Sequence, residues 1–142
     1  MDFYKKALSQ AKKGLQEGGI PIGAVLEKDG QILGQGHNQR VQQNNPILHG
    51  EMDCMQNAGR QSSYEGATMY TTLSPCMMCT GTILQFKIKK VVIGENVNFE
   101  GNIPFLESQG VEVVLLNDTE TIDMMSTFIK ENPKLWNEDI AE

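Results

Sequence analysis

The sequence predicts an α/β domain in which helices cover both faces of one mixed sheet. Apolar runs with strand character alternate with stretches of helical periodicity along the chain, and this alternation is typical of such domains. Only Lys28-Asp29-Gly30-Gln31 separates the first two strands, which indicates an antiparallel hairpin. Helices separate the later strands, which favours parallel pairing. No internal repeat, low-complexity tract or linker interrupts residues 1–142, so we expect a single domain.

Strands are expected where short apolar runs are bounded by turn residues. In chain order they are Ile20 to Leu26, a returning strand from Ile32 onward, Ala67 to Leu73, Lys90 to Ile93, and Val111 to Leu116.

Helices are expected where apolar residues recur at intervals of three and four. The first such run ends at Gly18-Gly19, and the last is expected to stop near Pro133. Ser74 and Pro75 precede another run and fit a helix start with Ser74 as the N-cap. The expected helices are residues 2–17, His49 to Ala58, Met77 to Phe86, 103–109 (a short helix or turn), and Thr119 to Lys130.

Composition and charge restrict the classes of function. Apolar residues make up 39% and charged residues 21% of the 142 residues, which is the balance of a globular protein and not of a disordered chain. The 12 Lys and Arg are outnumbered by 18 Asp and Glu, for a net charge of −6. A protein that binds a phosphate backbone usually carries a basic face, so the charge disfavours a nucleic-acid partner.

The sequence also predicts the cellular compartment. No apolar stretch has the length of a membrane span, and the N-terminus lacks the apolar core of a secretory signal. Three cysteines cannot all pair with one another, and two of them lie at metal-ligand spacing. We therefore expect a cytoplasmic protein with reduced cysteines and no membrane partner. The third cysteine, Cys54, is expected to be a small buried residue.

His49, Cys76 and Cys79 form the candidate zinc ligands. Histidine nitrogen and cysteine sulfur are preferred zinc donors, and a catalytic zinc site has three protein ligands with one position left for water. Glu51 lies close to His49 in sequence and is not needed as a ligand. This set predicts one Zn²⁺ per chain with a bound water or hydroxide, beside a catalytic carboxylate.

The spacing of these residues restricts where the helices must begin. Cys76 and Cys79 are three apart, about 60° around a helix, so their sulfurs share one face. His49 and Glu51 are two apart, about 200° around a helix, so in mid-helix they would point in opposite directions. The site therefore requires His49 at or before the first turn, with two helix N-termini converging on the metal. A helix N-terminus also favours the thiolate that zinc requires.

A structural zinc site is the main alternative use of the same residues. It needs a fourth protein ligand, and Cys54 lies about 140° from His49 on the same helix, which is poor geometry. His37, the only other histidine, is expected to have a surface or core role. The catalytic interpretation is therefore favoured over the structural one.

His49-Gly50-Glu51 and Pro75-Cys76-Met77-Met78-Cys79 together match the H-x-E…P-C-x-x-C signature of the zinc deaminases. On this motif the chain resembles the cytidine deaminase-like superfamily, and within it the small cytosine deaminases of the fungal type. Further segments carry the resemblance over nearly the whole chain. They are Glu17 to Gly23, Gly36-His37-Asn38, Thr71 to Gly81, Gly94 to Phe99, and Trp136 to Ile140.

The resemblance implies a three-layer α/β/α sandwich with a central five-stranded mixed sheet, and a homodimer. It also implies roles for individual residues in binding a small nucleobase. Asn38 would bond the pyrimidine edge and the Gly50 N–H the ring carbonyl. The Ser74 carbonyl and Asp139 would receive the amino group. The residues expected to wall or cap the pocket are Ile22, Phe99, Trp136 and Ile140.

The implied reaction is the hydrolysis of cytosine to uracil and ammonia. Zinc hydroxide would attack C4 of the ring while Glu51 carries the proton from water to N3 and then serves the departing ammonia. The same chemistry on isocytosine, 5-methylcytosine, a purine or pterin base, a nucleoside or a tRNA adenosine remains an alternative. A non-catalytic zinc-binding module is a further one, and a turnover assay separates it from the others.

Overall fold

A five-stranded sheet runs through the middle of the protein in the order β2-β1-β3-β4-β5. The computed structural model describes residues 1–142. The strands are β1 (Gly23–Lys28), β2 (Gln31–His37), β3 (Ala67–Thr71), β4 (Lys90–Ile93) and β5 (Glu112–Leu115).

The sheet is mixed, as the sequence predicts. β1 pairs antiparallel with both β2 and β3, whereas β3, β4 and β5 run parallel to one another. Asp29 and Gly30 form the turn between β1 and β2 with φ of 53° and 78°. Positive φ at both central positions is the type I′ geometry that matches the twist of a hairpin.

Six helices cover the two faces of the sheet. They are α1 (Phe3–Gln16), α2 (Gly50–Ala58), α3 (Met77–Gln85), α4 (Ile103–Ser108), α5 (Thr119–Glu131) and α6 (Pro133–Asp139).

The main apolar core lies between the sheet and helices α2, α3 and α4. Leu26, Cys54, Met69, Ile83 and Leu106 are fully buried within it. On the opposite face α1 packs closely on β1, where a Cβ at Gly23 would lie 2.2 Å from the Ala7 carbonyl oxygen. Layers of helix, sheet and helix confirm the three-layer α/β/α expectation.

A second apolar cluster joins the start of β1 to helices α5 and α6. Its buried members are Ile20, Ile22, Leu73, Met125, Phe128 and Trp136. Burial of apolar surface stabilises a fold by roughly 25 cal/mol per Å². The packing of this cluster is therefore the main interaction that holds α6 in place. This cluster forms one side of the pocket described below.

Two expectations about local structure were wrong, and one helix was not expected. The first strand begins at Gly23 and not at Ile20, because Ile20 and Ile22 are buried in the second cluster as a turn, with the Ile22 N–H bonded to the Ile20 carbonyl. Cys76, not Ser74, is the N-cap of α3. α5 ends near Pro133 as expected, but Pro133 also begins the unexpected helix α6. Other boundaries differ only by short frayed ends.

No helix in residues 1–142 combines the length and the apolar character needed to cross a bilayer.

Candidate active site

The N-termini of α2 and α3 meet at one end of the sheet and bring three metal donors together. His49 is the N-cap of α2, Cys76 is the N-cap of α3, and Cys79 lies in the first turn of α3. The donor atoms of these three residues all lie within 4.8 Å of one another. His49 therefore lies where the spacing requires it, at the end of its helix.

The donor set and its separations fit zinc. The His49 Nδ1 atom lies 3.5 Å from the Cys76 sulfur and 3.9 Å from the Cys79 sulfur. Tetrahedral zinc with its usual bond lengths places such nitrogen and sulfur atoms roughly 3.5 Å apart. Cys54 is not part of the group, so three protein donors are present and a fourth position is free for another ligand.

Protons on the donors are shared through hydrogen bonds. A hydrogen bond from Cys79, and a second from His49, lower the pKa of Cys76 to about 4. Burial lowers the pKa of His49, but the bond to Cys76 and the charge of Asp139 outweigh it and raise the pKa to about 9. A thiolate is thus already favoured at Cys76, and zinc binding requires thiolate.

Glu51 is a buried carboxyl group beside the donors. Its side chain is 4% exposed and it lies in the first turn of α2. Burial, reinforced by the negative charge of Cys76, raises the pKa of Glu51 to about 7. A carboxyl group with a pKa near neutrality both accepts and releases protons at working pH.

His49, Cys76 and Glu51 line a small pocket with a cavity volume of about 20 Å³. Ligand sites for drug-sized molecules enclose about 300–1,000 Å³, so this pocket suits a smaller ligand. It is lined by Ile22, His49, Glu51, Leu73, Ser74, Cys76, Phe99, Asp139 and Ile140. Leu73 is the one lining residue that the sequence did not predict, and the available signal was its position directly before Ser74, just after β3.

Asn38, Gly50 and Trp136 are expected at the substrate; none of them is among the residues that line the pocket, but each contacts a residue that is. Asn38 is fully buried, and its Nδ2 donates to Asp139 Oδ1 at a distance of 3.0 Å. Gly50 is so close to Ile22 that a Cβ would lie 2.9 Å from the Ile22 carbonyl oxygen. The Trp136 ring packs edge-on against the Phe99 ring, with their centroids 6.2 Å apart. These residues therefore contact the lining residues directly.

Asp139 connects α6 to the metal donors. Its Oδ1 atom lies 3.4 Å from His49 Nε2 and accepts the hydrogen bond from Asn38. Burial raises the pKa of Asp139, and the positive charge of His49 opposes that rise. The second nitrogen of a metal-binding histidine is often held by a carboxylate in this way.

His37 and Cys54 take no part in the site, as expected. The two nitrogens of the buried His37 ring bond Gln10 and Glu17 of the α1 region, at 3.0 and 2.8 Å. The Cys54 sulfur is fully buried and bonds the Gly34 carbonyl.

Residues 1–95 match the family model of the cytidine and deoxycytidylate deaminase zinc-binding region. The chain is similar to a cytosine deaminase of Candida albicans, with 59% identity over 139 residues, 96% of this chain and 93% of the relative. It is also similar to a tRNA-specific adenosine deaminase of Streptococcus pyogenes, with 41% identity over 106 residues, 70% of this chain and 65% of the relative.

Solved structures show the same fold. A chain from a study of tRNA:A34 deaminases superposes with a TM-score of 0.73 at 26% identity, covering 86% of this chain and 97% of the other. A guanine deaminase from Bacillus subtilis superposes with a TM-score of 0.61 at 26% identity, covering 93% and 74%. The arrangement of five strands and flanking helices is therefore common to these proteins.

Proposed function

Because the chain belongs to the cytidine and deoxycytidylate deaminase zinc-binding family, we propose that it is a zinc-dependent hydrolase that converts cytosine to uracil and ammonia. The similarity to the Candida albicans cytosine deaminase extends over 96% of this chain. Because that relative is a cytosine deaminase, the similarity favours a free base as the substrate. We propose that residues 1–142 form one deaminase domain. The family model matches residues 1–95, and Phe99, Asp139 and Ile140, which lie beyond that region, complete the pocket.

One observation carries the proposal. Three zinc donors lie within 4.8 Å of one another, two of them, His49 and Cys76, line a small pocket, and a buried carboxyl group that is not a donor lines the same pocket. A structural zinc site would be closed by a fourth protein ligand and would need neither the pocket nor Glu51.

We propose that His49, Cys76 and Cys79 hold the zinc and that Glu51 moves the protons. A bound zinc supplies the Lewis acidity that makes water a nucleophile at neutral pH. Glu51 accepts a proton from the attacking water and delivers it to N3 of the ring, which makes C4 a better electrophile. It then takes the proton of the new hydroxyl group on C4 and passes it to the amino group, so that the C4–N bond breaks, ammonia leaves and the C4 carbonyl of uracil forms. A pKa of about 7 suits a group that must do both.

Polar groups around the ring are proposed to orient it. Asn38 bonds the pyrimidine edge, and its amide is oriented by the Arg40 N–H, which donates to Asn38 Oδ1 over 2.9 Å. The Gly50 N–H, at the start of α2, bonds the ring carbonyl. The Ser74 carbonyl and Asp139 receive the amino group at the reacting carbon. Few polar groups are available to hold a small base, so the rate of deamination depends on how accurately those groups are placed.

Apolar residues are proposed to enclose the base and exclude water. Ile22, Phe99 and Ile140 line the pocket, and Trp136 supports Phe99 from behind. A dry site strengthens every polar interaction with the ring.

The proposal is tested by ammonia release from a panel of cytosine, cytidine, 5-methylcytosine, isocytosine and guanine with the zinc-loaded protein. We expect turnover of cytosine and little turnover of cytidine. Glu51→Gln, which keeps the side-chain shape, should lower turnover by about 10²–10⁴-fold while zinc content is retained. Ammonia release by Glu51→Gln at the wild-type rate would refute the role of Glu51, and no release from any base would refute the function.

Deamination of a tRNA adenosine is the second candidate, favoured by 41% identity to a tRNA-specific adenosine deaminase. The net charge of −6 and the Asp139 and Ile140 side chains over the pocket argue against a polynucleotide. Inosine formation in a tRNA anticodon stem-loop, measured beside cytosine turnover, separates the two.

We also propose a cytoplasmic homodimer that acts in pyrimidine salvage. All three cysteines are free thiols, which supports a reducing compartment. An exposed apolar surface, here called the α2–α3 face, supports association with a second copy. Its exposed or half-buried apolar side chains are Ile47, Met52, Met55, Tyr64 and Phe86.

A further inference from the structure

The segment of residues 94–102, between β4 and α4, is bonded to the end of β3 at the pocket. The Ser74 N–H donates to the Glu95 carbonyl, and the Ser74 hydroxyl donates to the Glu100 carbonyl, each at a distance of 2.9 Å. Phe99, in the middle of the segment, lines the pocket. The position of the Phe99 wall therefore depends on how this segment is held.

The Glu95 side chain is fully buried, and hydrogen bonds hold it inside the same segment. One carboxyl oxygen accepts a hydrogen bond from the Asn98 backbone N–H and the other accepts one from Asn98 Nδ2, each at a distance of 2.9 Å. Both carboxyl oxygens therefore have a hydrogen-bond partner on Asn98. A buried polar group without such a partner is costly, so these bonds favour the geometry that the turn from 95 to 98 adopts.

Asn98 extends this bonding to α5. Its Nδ2 also donates to the Ile122 carbonyl at a distance of 3.1 Å, and its Oδ1 accepts a hydrogen bond from the Ser126 hydroxyl at 3.0 Å. The Asn98 amide is thus fixed between Glu95 and a helix. Phe99 follows directly along the chain.

We propose that Glu95 is a positioning residue for the substrate pocket, which acts through Asn98 to hold the Phe99 ring against the bound base. The inference rests on the proposed deaminase function. Glu95 does not line the pocket, so it acts only through the turn. A displacement of an aromatic wall by a fraction of an ångström loses much of its dispersion contact with a flat ring.

Glu95→Gln is the main test, with Asn98→Ala as the second variant. The amide that Glu95→Gln introduces would turn an N–H towards a donor on Asn98, so one charge-assisted bond is lost. We expect KM for cytosine to rise by about tenfold, with kcat and zinc content near wild type, because a wall contacts the bound base in ground and transition states alike. Val91→Ala, a fully buried substitution in β4, is the matched control and should lower Tm without changing KM.

A double-mutant cycle shows whether Glu95 acts through Phe99. In a Phe99→Ala background, Glu95→Gln should add little to the rise in KM, because the wall is already absent. Independent, separate effects on KM would overturn the proposal. So would unchanged KM in both Glu95→Gln and Asn98→Ala together with a lower Tm, since that is a stability role alone. If Glu95→Gln does not fold, Asn98→Ala decides by the same criteria.

Trp136 gives a readout that needs no turnover. It is the only tryptophan and packs against Phe99, so its fluorescence reports the position of the wall. We expect red-shifted emission and stronger acrylamide quenching in Glu95→Gln and Asn98→Ala but not in Val91→Ala; unchanged emission in both variants would overturn the inference. A wild-type protein without cytosine turnover would refute the proposed function, and the fluorescence would still decide the role of Glu95 in the wall.

Discussion

The three cysteines show how local environment decides the role of a residue. Cys76 and Cys79 lie at the N-terminus of α3 near His49, where hydrogen bonds lower the pKa of Cys76 to about 4. Cys54 is fully buried in the main core, and burial raises its pKa. The hydrogen bond to Cys76 and burial raise the pKa of Cys79 as well, so what distinguishes Cys79 from Cys54 is its position beside two other donors, where a metal ion displaces the thiol proton.

These environments predict different outcomes for two cysteine substitutions. Cys76→Ala should abolish zinc binding and turnover, because two donors do not hold zinc tightly. Cys54→Ala should keep one zinc per chain and lose on the order of 1 kcal/mol of stability through a small cavity. Metal analysis after gel filtration, with Tm for each variant, measures both. Zinc retained by Cys76→Ala, or lost by folded Cys54→Ala, would contradict the proposed ligand set.

The geometry of the donors could be predicted from sequence because it depends on helix periodicity alone. The two-residue spacing of His49 and Glu51 requires a helix end, and the structure places His49 at the N-cap of α2. The depth of side chains around the pocket could not be predicted in this way. Phe99 and Trp136 were both expected to wall or cap the pocket; Phe99 lines it, whereas Trp136 packs edge-on against Phe99, and only tertiary packing decides between these positions.

At the scale of elements, α6 closes the pocket and depends on few interactions. Trp136 and Ile140 pack on the second apolar cluster, and Asp139 reaches Asn38 and His49. The main core beneath α2, α3 and α4 contains no residue of α6. The pocket should therefore be more sensitive to changes in α6 than the sheet is.

Deletion of residues 135–142 should lower kcat/KM for cytosine by two orders of magnitude or more, roughly the loss of one or two good polar contacts and a wall. Circular dichroism should show a retained fold, because the main core is intact. Lys134→Ala, an exposed substitution at the start of α6, is the control and should act like wild type. Unchanged kinetics after the deletion would show that α6 is not the lid.

Tyr4 joins α1 to α5 through a hydrogen bond between its hydroxyl and that of Thr121 at 2.5 Å. Burial is the main reason that the pKa of Tyr4 rises to about 12 from an ordinary value of 10.0, and the charge of Asp118 adds to it. The unfolded chain therefore releases this proton at a lower pH than the folded protein. Stability from Tyr4 is complete below pH 10 and is lost as pH rises towards 12.

Tyr4→Phe should reduce the loss of stability between pH 10 and 12. At neutral pH the variant should be about 1 kcal/mol less stable, because it lacks one hydrogen bond. Urea unfolding of the metal-loaded protein at a series of pH values measures the free energy of unfolding for each variant. Tyr64→Phe, which removes a surface bond to the Gly59 carbonyl, is the control. An equally steep alkaline decline in Tyr4→Phe and wild type would contradict the assignment.

Elements with regular periodicity were predicted well, and the errors occur where one residue type serves two purposes. Proline both stops a helix and begins one, and Pro133 was expected only to stop α5, which does end beside it at Glu131, whereas it also begins α6. Ile20 and Ile22 are buried like strand residues but belong to a turn in the second cluster. Ser74 was expected to cap α3, but its N–H and hydroxyl bond the 94–102 segment instead.

At the scale of the whole molecule, the sheet order brings the functional groups to one end. The N-termini of α2 and α3 meet there, and the segments that follow β3 and β4 supply Ser74 and Phe99. Polar and catalytic groups typically gather at the carboxyl ends of parallel strands. The sequence predicted the mixed sheet, but the order β2-β1-β3-β4-β5 follows from long-range packing that no local pattern records.

The α2–α3 face predicts how two copies associate. Phe86 is 44% exposed there, and its ring packs against Tyr64 at a centroid distance of 5.3 Å. If a second copy covers this face, a charged residue at position 86 would be buried without a partner. Phe86→Glu should therefore give a monomer by light scattering at concentrations where wild type is a dimer. Leu15→Glu, at an equally exposed apolar position on α1, should remain a dimer because α1 covers the opposite face of the sheet. A dimer that survives Phe86→Glu but not Leu15→Glu would move the interface to that opposite face.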